Sequence, residues 1–217
     1  MFEGYTHEVH CVAVGPDESW AISGGYDGVI RVWELATGRC LRSADAKSDV
    51  KSLAMDPKGR WVLSGTFGSF LDRRGQTLRL WDPGSCRCIR TYDVQNSVPS
   101  VAATPDGRFV VAAVDTGSAI PIPTVTRLRL LEVATGQCLQ TFVGHELDVS
   151  SVAVAPDGRW ALSGSGDNTV RLWELATGRC LRCWEAGAIG IAAILLLTIS
   201  PFVIERLEAG RNRKKGG

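Results

Sequence analysis

The sequence predicts an all-β fold built from four repeats of four short strands, and three observations carry that expectation. One phrase occurs four times, as "IRVWELATGRCLR" at 30–42, "LRLWDPGSCRCIR" at 78–90, "LRLLEVATGQCLQ" at 128–140 and "VRLWELATGRCLR" at 170–182. Its first and last copies agree at eleven of thirteen positions. A second phrase precedes each copy: "VAVGPDESWAISG", "LAMDPKGRWVLSG", "VAATPDGRFVVAA" and "VAVAPDGRWALSG". The prolines of that phrase, Pro16, Pro57, Pro105 and Pro156, are spaced by 41, 48 and 51 residues. Periods of this size belong to repeat architectures, in which a single unit cannot bury its apolar faces until neighbours stack on it.

Each element of a unit follows from local chemistry, and the fourth repeat shows it most plainly. "SVAVA" alternates small apolar side chains, then meets Pro156-Asp157-Gly158, where proline presets φ for a tight turn and glycine relaxes its last position. "RWALSG" forms the second strand and "SGDN" the next turn. "TVRLW" is the third strand, "ELATG" turns the chain again, and "RCLRCW" is the fourth. These strands are too apolar for sheets with a solvated face, so each sheet is expected to lie between other sheets. The units fall at about residues 2–42, 43–90, 91–140 and 141–184, within a body of 1–184, with 185–217 as a separate tail.

Gly144-His145, Ser163, Asp167 and Trp173 of the fourth repeat stand where WD repeats place a Gly-His turn, a strand serine, a turn aspartate and a strand-end tryptophan. The chain thus resembles the WD-repeat β-propeller family over about residues 2–184. The resemblance implies a propeller or partial propeller of four four-stranded blades, with a hydrogen-bonded network of His145, Ser163, Asp167 and Trp173. The first repeat retains Ser23, Asp27 and Trp33 of that network but has Tyr5 in place of the histidine. The second keeps Ser64 and Trp81 and carries Gly68 where the aspartate aligns. In the third, Ala112 and Leu131 replace the serine and the tryptophan.

Four blades are few for this family. The sequence leaves open a compact four-bladed ring, an open arc completed by a second copy, or a segment of a longer propeller, with the last two preferred. An arc exposes apolar blade faces, so self-association is expected of it. Residues 186–204 carry no charge over 19 positions. As a helix they would measure roughly 28 Å against a hydrocarbon core of about 30 Å. Arg206, Arg211, Arg213, Lys214 and Lys215 follow as a basic flank. Three readings of this tail stand: a helical membrane tether, a decayed fifth blade whose strand is "LLLTISP", or a shifted reading frame.

Composition excludes some classes of partner. The 24 basic side chains are matched by 23 acidic ones, so no overall field draws the body to nucleic acid, and none is expected to bind. "MFEGYTHEVH" has no secretory signal character, and the odd count of seven cysteines reads as reduced thiols in a cytoplasmic compartment. "HEVH" at 7–10 lacks the i, i+4 spacing of a zinc helix, so no metal or cofactor is expected. Cys40, Cys88, Cys138 and Cys180 recur in register and are expected to pack as small apolar side chains. Glu34, Asp82, Glu132 and Glu174 recur at strand ends and belong to turns. With no catalytic constellation, the chain reads as a non-enzymatic scaffold or sensor that binds proteins. A membrane-tethered recruiting module is the alternative, and a propeller enzyme stands third.

Binding is expected on one face. Between the second and third strands the fourth repeat has the short "SGSGDNTVRLW", whereas the second inserts seven residues and the third nine. Equivalent connections emerge on the same face, and insertions there often mark a binding face. Phe67, Phe70, Arg73 and Arg74 of the first insertion, and Ile120, Pro121 and Ile122 of the second, are the candidate partner contacts.

Overall fold

The computed structural model describes residues 7–67, 77–94, 97–115 and 126–185. They form four four-stranded antiparallel sheets, each a meander whose strands pair in chain order. The first contains β1 (Val9–Val14), β2 (Trp20–Gly25), β3 (Val29–Glu34) and β4 (Cys40–Asp45). The second contains β5 (Asp49–Met55), β6 (Val62–Phe67), β7 (Thr77–Asp82) and β8 (Arg87–Asp93). The third contains β9 (Ser100–Ala103), β10 (Phe109–Asp115), β11 (Thr126–Glu132) and β12 (Cys138–Phe142). The fourth contains β13 (Val149–Val154), β14 (Trp160–Ser165), β15 (Thr169–Glu174) and β16 (Cys180–Glu185).

The repeated phrases set these boundaries. The backbone N–H of Gly158 donates to the carbonyl of Ala155 at 2.9 Å, closing the Pro-Asp-Gly turn, and Gly59 and Gly107 do the same in their repeats. The third and fourth strands are joined by a wider turn, closed in the fourth sheet by a bond from Gly178 N–H to the Glu174 carbonyl. In the second sheet Cys86 takes the equivalent left-handed position, with φ of 57°. The strand-end carboxylates accept from hydroxyls within these turns: Thr37 to Glu34 at 2.5 Å, Ser85 to Asp82 at 2.5 Å, Thr135 to Glu132 at 2.6 Å and Thr177 to Glu174 at 2.6 Å.

Packing between sheets supplies the core. Ile22, Ile30 and Val32 of the first sheet bury against Val50, Val62 and Trp81 of the second. Leu63, Leu78 and Leu80 of the second meet Val101, Val110 and Leu131 of the third. Val111, Leu128 and Leu130 of the third meet Val152, Ala161 and Trp173 of the fourth. Alternation along each strand thus sends successive side chains into two different interfaces, which is why the strands are apolar on both faces. Among the described residues no apolar cluster joins the fourth sheet to the first.

One expectation about the strands is overturned. Cys40, Cys88, Cys138 and Cys180 do occupy equivalent places, but all four are exposed rather than packed. They lie on the outermost strand of each blade, where neighbouring blades no longer cover the surface, and β4 and β8 are exposed along most of their length. Each thiol lies near the carbonyl two residues on, at 3.2 to 3.5 Å. Cys11 is the contrasting case. It sits in the interface of the first two blades, and burial pushes its thiol pKa up to about 12.

Candidate functional site

The antiparallel meander sorts all turns onto two rims. Connections from first to second strand and from third to fourth lie on one rim. Those from second to third strand, and from each blade to the next, lie on the other.

The polar cluster of the fourth blade is anchored at this second rim. The Trp173 indole N–H donates to Ser163 Oγ at 2.8 Å, and Ser163 Oγ lies 2.6 Å from His145 Nε2. His145 Nδ1 lies 2.8 Å from Asp167 Oδ2. An ionised Asp167 can only accept, so Nδ1 carries the proton of the neutral imidazole, and the bare Nε2 accepts from the Ser163 hydroxyl while the serine oxygen accepts from the indole. Burial lowers the pKa of His145, outweighing the opposite pull of Asp167. For Asp167, burial favours the neutral acid, but bonds from Thr169, His145 and the backbone of Glu146 hold it well below the usual carboxylate range. Serine, histidine and aspartate here have the order of a nucleophilic triad. Ser163 is only 1% exposed and its hydroxyl is engaged on both sides, so no substrate carbonyl can reach it.

The first two blades hold reduced versions, and the third, with Ala112 and Leu131 in these places, holds none. Trp33 donates to Ser23 at 2.6 Å, and Trp81 donates to Ser64 at 2.9 Å. Asp27, grouped by resemblance with Ser23 and Trp33, pairs instead with Arg31 at 2.7 Å and accepts from the Val29 backbone at 3.0 Å. Tyr5 and Gly68 lie outside the described residues. Among the described residues no group of three or more His, Cys, Asp or Glu side chains is placed to hold a metal ion.

A second cluster on the same rim joins the expected contact Phe67 to Tyr26, His10 and Lys51, which the sequence did not mark. Tyr26, at the tip of the β2–β3 turn, is 61% exposed, and Phe67, at the end of β6, is 44% exposed. Between them the Tyr26 ring meets His10 edge-on at 6.5 Å, and Lys51 Nζ donates to His10 Nε2 at 2.8 Å. Lys51 also pairs with Asp49 at 3.2 Å and sits 5.7 Å from the Phe67 ring centroid. Tyr26, His10, Lys51 and Phe67 thus form a chain of contacts across two adjacent blades at this rim. Further round the rim, Val143 and Leu147 in the link from third to fourth blade are exposed as well. Of the expected partner contacts, Phe67 stands on this surface. Phe70, Arg73, Arg74, Ile120, Pro121 and Ile122 lie outside the described residues, in connections whose flanking strand ends reach this rim.

Open grooves lie between blades on the opposite rim among the described residues. One of about 750 Å³ is lined by Trp20, Leu35, Leu41, Arg42 and Pro83 among others, and one of about 400 Å³ by Arg60, Ile89, Arg90 and Arg108 among others. No helix of the described residues is long and apolar enough to cross a membrane, and the segment 186–204 lies outside them.

Comparison with known proteins finds a match to the family model described as WD domain, G-beta repeat, at residues 1–34, 38–82 and 136–174, more than half of the chain. The chain is similar to the ribosome biogenesis protein BOP1 of Homo sapiens, 40% identical over 57 residues, which is 26% of this chain and 8% of that protein. It is also similar to the small ribosomal subunit protein RACK1 of Medicago sativa, 44% identical over 66 residues, and to RACK1z of Oryza sativa subsp. japonica, 45% identical over 64. Each of these two matches spans 30% of this chain and a fifth or slightly less of the relative.

Proposed function

From its membership of the WD40 family, to which this chain belongs, we propose that the protein is a non-enzymatic interaction module that docks other proteins on the rim of its second-to-third-strand turns. One observation carries the reading: two large aromatic side chains, Tyr26 and Phe67, are held out to solvent on adjacent blades with Lys51 between them. Exposed aromatic side chains fixed on a rigid sheet give up little entropy on binding and dominate interface energetics once desolvated. The flanking strand ends of the insertions at 68–76 and 116–125 reach the same rim, and Phe70, Arg73, Arg74, Ile120, Pro121 and Ile122 are proposed as further contacts on their sequence alone. His145, Ser163, Asp167 and Trp173, with Ser23 and Trp33, act beneath this rim as a scaffold that fixes the turns.

The relatives are named for ribosome biogenesis and the small ribosomal subunit, which makes ribosome-associated proteins the first partner class to try. A cytoplasmic location is proposed on the seven free thiols.

The test is capture from a ribosome-containing extract by the parent and by a variant carrying Tyr26→Ala, Phe67→Ala, Phe70→Ala, Arg73→Ala and Arg74→Ala. Loss of recovery by about tenfold or more, with the melting temperature shifted by no more than about 2 °C, supports the rim as the binding surface. Undiminished capture moves the binding site to another part of the molecule.

A further inference from the structure

The groove between the second and third blades, on the rim opposite Tyr26, differs in charge from its register equivalents. At each junction between blades the outer strand of one blade supplies Arg42, Arg90 or Gln140, and the first turn of the next supplies Arg60, Arg108 or Arg159. Asp56 separates the first pair from the second. It stands just before Pro57 and accepts from Arg60 Nε at 2.7 Å and Nη2 at 2.8 Å, which neutralises that guanidinium. Thr104 takes the same place before Pro105, and its hydroxyl lies 2.5 Å from Asp106 Oδ1. Arg108 therefore meets no carboxylate at this position, and its guanidinium lies 5.2 Å from the Phe109 ring centroid, at the wall of the groove.

Arg90 lines the same groove and reaches from β8 to the carbonyl of Ala134 in the turn between β11 and β12. Among the described residues neither Arg90 nor Arg108 forms an ion pair. The third junction cannot repeat this, because Gln140 stands where Arg90 does. Glu132 also lines the second groove, its carboxylate accepting from Thr135 at 2.6 Å. With Arg60 neutralised by Asp56, Arg90 and Arg108 against Glu132 leave one net positive charge. The larger groove between the first two blades has the opposite sign, with Glu18 and Glu34 against Arg42. Beside the guanidinium groups stands Ile89, 57% exposed, so the cationic wall adjoins an open apolar one.

We infer that this groove binds an acidic segment of a partner protein, seating an aspartate or glutamate carboxylate on Arg90 and Arg108 and an adjoining aliphatic side chain on Ile89. A guanidinium offers five N–H donors in a planar fork that matches a carboxylate, and Arg90 spends only part of its set on Ala134. Both side chains are already placed, one by a carbonyl and one by a ring, so little order is lost on binding. The volume of about 400 Å³ admits a few side chains of an extended segment. A nucleic acid strand brings a phosphate at every step and no aliphatic side chain for Ile89, and one net positive charge does not balance it. A partner seated on the Tyr26 and Phe67 rim leaves this groove empty, so the two sites fill and fail separately.

Fluorescence anisotropy of a labelled Ser-Leu-Glu-Ile-Ser peptide with blocked ends, titrated with the 217-residue chain, tests the site. Binding is expected to saturate below about 1 mM, and the same peptide with glutamine for glutamate should bind about tenfold more weakly or worse. Arg90→Gln and Arg108→Gln should each weaken the acidic peptide by about tenfold. Arg108→Gln carries the test if Arg90→Gln, which gives up the Ala134 contact, loses its β-sheet circular dichroism. Arg42→Gln removes the same charge from the first groove and should leave the affinity within about twofold, as should Tyr26→Ala with Phe67→Ala. Failure to saturate, equal binding of the glutamine peptide, or unchanged affinity of the Arg108 variant overturns the inference. An equal loss in the Arg42 variant or in the Tyr26 and Phe67 variant overturns it as well, since the peptide then sits elsewhere. Equal or tighter binding of a short oligouridine also overturns it and makes the groove a general polyanion site.

Discussion

Replacing Trp173 by phenylalanine isolates the polar network of the fourth blade from the apolar packing around it. The indole is 1% exposed, donates to Ser163 Oγ at 2.8 Å, and meets Phe142 and His145 edge-on at 5.7 and 5.9 Å. Phenylalanine keeps an aromatic ring in the site but has no N–H and less volume. The lost hydrogen bond to a buried hydroxyl costs about 1 kcal/mol. The smaller ring leaves a void and weakens the edge-on contacts, for about another 1–2 kcal/mol. The sum of about 2–3 kcal/mol corresponds to a fall of roughly 5–10 °C in melting temperature for a chain of this size. Differential scanning calorimetry measures it, with Ser163→Ala as the second leg of a double-mutant cycle. Once the serine is gone, Trp173→Phe should cost about 1 kcal/mol less, the difference being the coupling between the two side chains. A variant that melts within about 1 °C of the parent, or a cycle with no coupling, would refute the reasoning.

Acid should weaken the same blade in two stages. The folded state lowers the pKa of His145 from 6.5, so its contribution is complete above that pH and declines as pH falls below it. Asp167 is lowered from 3.8, so its contribution is present above that pH and is lost on further acidification. His145→Asn should accordingly flatten the fall in melting temperature between about pH 7.5 and 5, as followed by circular dichroism. Gly107→Ala should destabilise by about 1–3 kcal/mol, because φ is 68° there and a Cβ would come within 1.9 Å of Asp56 Oδ1, while Gly84→Ala, facing only contacts at 3.4 Å and beyond, should be nearly neutral in urea unfolding. Asp56 is 1% exposed and accepts from Arg60 Nε at 2.7 Å and Nη2 at 2.8 Å, so Asp56→Ala should cost about 1–3 kcal/mol by the same assay.

The strands were legible because their ends are written in local chemistry. Pro-Asp-Gly and Ala-Thr-Gly turn the chain by backbone preference alone, and each recurs where the structure turns. The partners of Ser163 were legible for a related reason, since Trp173 lies one hairpin away and opposes Ala161, two residues before Ser163 and on the same face of the sheet. Asp27 shows where this stops. Its carboxylate pairs with Arg31, four residues on, a pairing that depends on which side chains share the rim rather than on the turn itself. The exposed cysteines show a second limit: recurrence reveals an equivalent place in each blade but not its distance from the axis, and the outer strand lies beyond the reach of neighbouring blades. Tyr26, His10, Lys51 and Phe67 come from four strands or turns on two blades, so their meeting depends on how blades stack, for which the sequence of one repeat carries no sign.

Amide hydrogen exchange of the chain, free and bound to a protein it captures, tests the docking rim most directly. The account predicts slowed exchange at the turns around Tyr26 and Phe67 and in the loops at 68–76 and 116–125, with the turns at 15–19, 56–61 and 104–108 on the opposite rim unchanged. Protection confined to that opposite rim, with Tyr26 and Phe67 exchanging as in the free chain, would contradict it.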